Sequence, residues 1–302
     1  MILRYRTFLV LLIAGLVTGV LFPSLAAAGL LFEQKTSYRT APRDTLSSIG
    51  ARFGVDWRSI AEENRIDPDA PLRAGQRLRI TLRKIIPRAV QRGIIIDIPG
   101  RMLYLFDRGT LDRAIPVGLG APKGNGQRGW ETPAGRFTIV GKRTSPTWLV
   151  PKSIQEEMRR EGAVVKESLP PGPKSPLGRY AVRTSIPGIV IHETTDPSTI
   201  YAFMSHGCVR VLPEHMGRLY RSVRAGMPGE LIYRPVKVAV LRDGRVFMEV
   251  HRDIYGKIKD MRAEARRVLQ EQSVLKSVDW ARVEQALKQQ AGVPVEVSAA
   301  PR

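Results

Sequence analysis

From Gly93 onward the chain repeats one rhythm, an apolar run of strand length followed by a turn signal. In "GIIIDIPGRMLYLFDRGTLDRAIPVGLG" (93–120) the runs are rich in β-branched and aromatic residues, and Pro-Gly and Arg-Gly pairs punctuate them. Runs of this length between turn residues predict a sheet built from hairpins. The segments "GRFTIVGKR", "GRYAVRTSIPGIVIHET" and "GELIYRPVKVAVLRDGRVFMEVHRD" continue the pattern to Asp253. Two stretches break it with helical spacing. One is "KSIQEEMRREG" (152–162); the other is "PEHMGRLYRSVRAG" (213–226), where Met216, Leu219, Tyr220 and Val223 repeat at that spacing. The expectation is a mainly β domain with helical inserts.

Before the sheet rhythm begins, residues 1–28 read as an export segment. Arg4 and Arg6 precede the uncharged run "FLVLLIAGLVTGVLF", and "PSLAAAG" ends in small residues. That layout fits a signal peptide cleaved after Ala28. It also fits a membrane anchor, because the uncharged run continues through Phe32 and is long enough to span a bilayer. Either reading puts the body outside the cytoplasmic membrane.

The next segment, 37–80, holds two short helical patterns between extended ends. Asp44 is the expected cap of the first helix, with Leu46, Ile49 and Phe53 on one face and Gly54 as its stop. Asp56 is the expected cap of the second, with Trp57, Ile60 and Ala61 on one face and Asn64 as a left-handed stop. "AGQRLRI" then alternates like a strand. Basic, proline-containing residues 81–91 read as a linker, and 92–234 as the main β domain. Residues 235–302 read as a β-hairpin and helical extension with a loose tail from Ala291.

The net charge of +20 surrounds the chain with a field that concentrates polyanions. No aromatic-interleaved basic module or zinc-finger spacing accompanies it, so the reading is no nucleic-acid partner and an acidic wall or membrane surface instead.

One cysteine, Cys208, stands in "AFMSHGCVRV" (202–211), so no intramolecular disulfide can form. An unpaired thiol in an exported chain is open to oxidation, and a histidine beside it points toward use as a nucleophile. A thiol needs a base or positive neighbours to attack a carbonyl. His192 closes the apolar run "IVIHET", which places an imidazole at the end of a buried strand, and a Cys–His pair across adjacent strands is a feasible geometry. If "SHGCVR" is extended, His206, Cys208 and Arg210 share one side. Gly207 then lets a carbonyl approach the main chain, whose N–H groups can face a developing oxyanion.

These residues resemble the YkuD family of L,D-transpeptidases, whose mark is a histidine followed by Ser/Thr-His-Gly-Cys, an apolar residue and Arg or Asn; "His192…SHGCVR" fits it. "ETPAGRFTIV" (131–140) and "SPLGRYAVRTSIPGIVIHET" support the likeness. "DTLSSIGARFGV", Asn64 and "GQRLRI" resemble a LysM module. The resemblance implies a YkuD-like β-sandwich with helical inserts behind a small βααβ unit. It implies Cys208 as nucleophile and His192 as base, Ser205 fixing the turn, His206 and Gly207 shaping the oxyanion site, and Arg210 holding a substrate carboxylate. It further implies glycan binding through Arg43, Asp44, Thr45, Asn64, Arg65 and Ile66. Glu193 departs from the family's usual small residue, and would raise the pKa of His192 if it points inward.

The implied reaction starts on a peptidoglycan tetrapeptide, releases D-alanine and passes a thioester to an amine, either of another stem peptide or of a lysine on an envelope protein. Water as acceptor would make the enzyme a carboxypeptidase. No cofactor is implied, and the location is the periplasm or cell wall. The alternative from another class is a non-catalytic wall-binding scaffold. Against the nucleophile stand two plainer readings, a buried filler thiol and a zinc site from His192, His206 and Cys208, which lacks paired ligand spacing. His215 and His251 read as surface residues. "GLGAPKGNG" (118–126) lacks the third glycine of a phosphate loop and reads as a turn.

Overall fold

The computed structural model describes residues 29–87, 90–122 and 129–300. The segment read as an export signal lies outside them. Among the described residues no helix is long and apolar enough to cross a membrane.

The N-terminal unit is an antiparallel ribbon around two helices. β1 (Leu30–Arg39) pairs with β2 (Arg77–Ile86), from Leu30 opposite Ile86 to Arg39 opposite Arg77, with α1 (Leu46–Phe53) and α2 (Trp57–Asn64) between them. The cap of α1 is Thr45, one residue later than expected. Its hydroxyl accepts from Ser48 N while Ser48 Oγ accepts from Thr45 N, a reciprocal capping pair. Asp44 is already engaged by Ala41 N and Tyr38 OH. Gly54, at φ 70°, stops α1, and Asp56 caps α2 through Arg58 N. The left-handed stop of α2 is Arg65 (φ 54°) and not Asn64. Asn64 instead ties Ile60 O to the main chain of Arg79 on β2, a job only an amide with both donor and acceptor can do.

The strand continues where a linker was expected. β2 runs through Ile86, and Lys84, Ile85 and Ile86 are all buried. The basic residues of "TLRKII" disguise an alternation whose apolar side is covered.

The main domain follows as β3 (Gly93–Asp97), β4 (Met102–Asp107), β5 (Thr110–Gly120) and β6 (Gly135–Thr144). An insert of β7 (Trp148–Leu149), α3 (Lys152–Arg160) and β8 (Ser168–Leu169) comes next. Then come β9 (Tyr180–Thr184), β10 (Val190–Glu193), β11 (Phe203–Ser205), β12 (Val209–Val211), α4 (Pro213–Ser222) and β13 (Pro228–Ile232). Nine strands form one sheet in the order β11-β5-β12-β10-β9-β6-β13-β3-β4. Long β5 pairs with β4 along its first half and with β12 near its end, so the sheet closes round on itself. Ile94, Ile96, Leu103, Val117, Ile191 and Val209 fill the interior, and α4 adds Met216 and Leu219.

The outer face of the β3–β4 hairpin is buried as well. Ile95, Met102, Tyr104 and Phe106 share a core with Leu46, Ile49, Ile60, Leu78 and Ile80 of the N-terminal unit. That unit is therefore docked on the sheet.

A third layer is formed by β14 (Val236–Val240) and β15 (Val246–Val250), covered by α5 (Met261–Glu271) and α6 (Trp280–Gln289) and closed by β16 (Val295–Glu296). The tail expected to be loose is thus paired, with Val295 opposite Met248 and Val297 buried.

Charge is buried where the three units meet. Lys237 donates to Asp97 and, at 3.0 Å, to Glu249; Glu249 also accepts from Ile85 N on β2. Lys84 reaches Tyr201 OH at 3.0 Å and Gly292 O at 2.9 Å. His251, expected at the surface, is 3% exposed with Nε2 2.6 Å from Glu249; Gly292 leaves the room its ring occupies. His215 is half-buried and not fully exposed. Burial alone would raise the pKa of Glu249, but the charge of Lys237 and the bond from His251 outweigh it and hold it well below the carboxylate range.

Lys237→Met would leave two buried carboxylates without their cation and should cost about 3–5 kcal/mol, read from denaturant unfolding; a change under about 1 kcal/mol would contradict the clasp. Burial, reinforced by Lys237, pushes His251 from 6.5 down to about 4. The unfolded chain therefore takes up a proton that the folded chain refuses, and stability should decline as pH falls through that window. His251→Gln should flatten that slope in a pH series of melting temperatures.

Candidate active site

β10 and β12 run parallel with Ile191 opposite Val209 and His192 opposite Arg210. Side chains alternate along a strand, and Ile191, Val209 and Val211 point into the core with no exposure. His192 and Arg210 therefore share the other face, joined by Val190 and by Cys208 just before β12. His192 and Cys208 are diagonal neighbours, with Cα atoms about 8 Å apart by strand rise and spacing. That is within side-chain reach.

The turn before Cys208 is bent, because Gly207 sits at φ 100°. The extended reading of "SHGCVR" thus holds for Cys208 and Arg210 but not for His206. The His206 ring leaves toward α3, with Nε2 2.8 Å from Glu157 Oε2, and lies 4.6 Å from the Trp130 ring. The trio weighed for zinc accordingly does not converge. Among the described residues one close group of potential metal ligands occurs, Asp97, Glu249 and His251, and Lys237 already bonds both of its carboxylates.

Buried Ser205 accepts from Gly207 N at 3.2 Å and donates to Cys208 O at 2.6 Å, closing the turn on itself. Ser205 O accepts from Ala121 N. Gly207 O accepts from Thr132 Oγ1 at 2.9 Å. Thr132, 1% exposed, was not singled out from sequence. It lies in "ETPAG", where nothing local distinguishes its hydroxyl from that of any loop threonine.

The Cys208 sulfur is half-open to solvent at the edge of dense packing. It accepts from Val190 N–H and donates its S–H to Gly188 O, with Sγ 3.4 Å from that oxygen. Burial pushes its pKa up, against that N–H and the charge of Arg210, which pull it down. Burial also drives His192 down to about 4, opposed by the carbonyl of Glu193 and, more weakly, by that of Pro176. Nδ1 of His192 lies 2.8 Å from Glu193 O. The Glu193 side chain turns away, accepting from Arg179 N at 3.2 Å and packing over Gly178. It does not raise the histidine. The resting pair is thus neutral imidazole and neutral thiol, with no hydrogen bond between them.

A cleft of about 870 Å³ opens on Cys208. Gly188 and Val190 lie beside the thiol, Trp148, Leu149 and Pro151 come from the insert, and Arg143 and Arg183 add exposed positive charge. Lys142 also lines it but is held by the carbonyls of Tyr220 and Val223. Among the described residues no carboxylate lines the cleft. Arg210 is half-buried, and no side-chain hydrogen bond engages it among the described residues.

Of the six residues expected to hold glycan, Asp44, Thr45 and Asn64 are occupied by local hydrogen bonds, and Ile66 packs against the shared core. Arg43 and Arg65, both at positive φ, are exposed.

Comparison with known proteins bears on this geometry. Residues 91–238 match the YkuD L,D-transpeptidase catalytic domain, 38–81 the LysM domain and 235–297 the L,D-transpeptidase C-terminal domain. Residues 91–238 are thus an L,D-transpeptidase catalytic domain of the YkuD family. The chain is 28% identical to the "Probable L,D-transpeptidase ErfK/SrfK" of Salmonella typhimurium, over 97% of this chain and 96% of that one. It is 29% identical to the "Probable L,D-transpeptidase YcfS" of Escherichia coli, over 78% and 73%. A solved L,D-transpeptidase from Mycobacterium smegmatis overlaps 66% of this chain and 91% of its own, at 19% identity and a TM-score of 0.36. By its domains the chain is a peptidoglycan L,D-transpeptidase, with a LysM domain ahead of the catalytic domain and an L,D-transpeptidase C-terminal domain behind it.

A neutral resting thiol makes a checkable prediction. The rate at which iodoacetamide alkylates Cys208 should climb with pH and reach its midpoint above about 8.5, the free-thiol value. A flat, fast rate between pH 5 and 7 would mean a preformed thiolate and contradict the site as described.

Proposed function

We propose that this L,D-transpeptidase acts after export, with Cys208 as the nucleophile on a peptidoglycan tetrapeptide and His192 as the base that takes and returns its proton. The observation that carries the reading is the common face of Cys208, His192 and Arg210 on two adjacent parallel strands, with Cys208 lining a cationic cleft in which no carboxylate occurs among the described residues. The bond of His192 Nδ1–H to the Glu193 carbonyl leaves the other ring nitrogen as the proton acceptor.

Reaction begins when the Sγ–H turns from the Gly188 carbonyl to the imidazole, a side-chain rotation of the fast, local kind. Catalytic contacts of this sort commonly tighten only with substrate bound. Sulfur then attacks the carbonyl between the diamino acid and terminal D-alanine. The S–C bond forms, negative charge collects on oxygen, and backbone N–H groups of the 206–208 turn face it. Collapse breaks the C–N bond, and D-alanine leaves with the proton from His192. An amine of a second stem peptide, or of a lysine on an envelope protein, attacks the thioester and restores the thiol. Arg210 holds a substrate carboxylate beside the thiol, and Arg43 and Arg65 offer the exposed loop contacts to glycan.

The test is to incubate the soluble body with a disaccharide tetrapeptide and weigh the protein intact. An adduct equal to substrate minus D-alanine is expected, and it should be absent in Cys208→Ala. Full-strength labelling in the alanine variant, or none in the native chain, would overturn the assignment. His192→Ala should slow acylation by about 10²-fold or more while leaving binding to wall sacculi intact; loss of both together would contradict separate roles for the site and the LysM domain.

A further inference from the structure

The turn that carries Cys208 is held from outside the catalytic domain. Tyr255 belongs to the segment after β15, yet its hydroxyl donates to Gly120 O at 2.7 Å and accepts from Thr132 N at 3.2 Å. Thr132 in turn accepts from Gly120 N at 2.8 Å and donates to Gly207 O at 2.9 Å. The phenol, the threonine and the end of β5 form one closed hydrogen-bonded knot, and its outgoing bond lands on the peptide unit whose nitrogen belongs to Cys208.

The knot is tightly built. At Gly120 a Cβ would lie 1.9 Å from Trp130 O, so glycine is required for the strand end to approach so closely. Tyr255 is 8% exposed, stacks on Tyr233 and meets Phe203 edge-on. Its main-chain N–H donates to Tyr233 OH, which donates to Asp253; Asp253 also accepts from Lys257 N and Ile258 N. Lys257 closes the segment back onto Glu131 at 2.7 Å, next to Thr132. An isolated structural tyrosine would need one partner. This one bridges an acceptor at the end of β5, Gly120 O, and a donor in the loop before β6, Thr132 N, both beside the turn that carries Cys208.

We infer that Tyr255 and Thr132 are positioning residues that fix the Gly207–Cys208 peptide plane, so that the C-terminal domain sets the geometry in which the main chain meets the substrate carbonyl. Fixing the Gly207 carbonyl at one end of that plane fixes the direction of the Cys208 N–H at the other, because the peptide unit is rigid. The inference rests on the acylation of Cys208 proposed above.

The experiment compares Tyr255→Phe, Thr132→Val, Thr132→Ser and the Tyr255→Phe/Thr132→Val double variant by single-turnover acylation. Each is checked for folding by its melting temperature and for thiol access by iodoacetamide, a reagent that needs no oxyanion site. Acylation should fall about ten- to a hundredfold in Tyr255→Phe and Thr132→Val, the size expected of a small misplacement at a reacting centre. KM and alkylation should stay within about twofold, and Thr132→Ser should restore most of the rate. The double variant should lose no more than Thr132→Val alone, since both act along one path. Native acylation with unchanged variants would overturn the inference. So would losses matched by slower alkylation, which mark general disruption. If the native chain itself fails to acylate, the proposed function fails instead, and the two failures are distinct. Should Thr132→Val not fold, Tyr255→Phe with Thr132→Ser decides alone.

Discussion

The parallel pairing of β10 with β12 is the constraint on which the site depends. Its register sends Ile191, Val209 and Val211 inward, and because a strand has only two faces, His192, Cys208 and Arg210 must emerge together on the other. A slip of β12 by one residue would bury the imidazole's partners and expose Val209 and Val211. The hydrophobic core thus does more than stabilise the sheet. It assigns the reactive groups to the same side without any direct bond between them.

Around that pairing the environment works by desolvation more than by charge. Both the thiol and the imidazole are pushed toward their neutral forms; in the mechanism proposed above, charge is therefore created within the reaction, where main-chain dipoles and Arg210 would stabilise it. The bent turn at Gly207 serves the same end. It diverts His206 to Glu157 and Trp130 and leaves Cys208 on the cleft.

Much of this was legible in the chain. The alternation of apolar runs identified the sheet, "SHGCVR" and His192 fall on the adjacent strands of the proposed site, and Asp56 and Gly54 punctuated the first unit as capping chemistry requires. The errors have physical sources. Asp44 and Asn64 are residue types that cap and stop helices, but their side chains were already engaged with Tyr38 and with the main chain of Arg79. His251 looked solvated because Arg252 follows it, whereas the carboxylate that receives it comes from Glu249, buried by strands far away in sequence. Thr132 and Tyr255 were invisible for the same reason: a hydroxyl acquires a role from what the fold brings to it, and no spacing rule encodes a bond across more than a hundred residues.

The buried contacts of Lys84 and Ile85 have a consequence for how such chains are rebuilt. The ribbon of the LysM domain ends inside the other two domains, where an ammonium and a peptide N–H find acceptors supplied by Gly292 and Glu249. Cutting the gene at the tidy boundary after Thr81 would split a strand and strand a cation, so a transplant of this module onto another enzyme has to bring its receptors along or replace both ends with apolar surface.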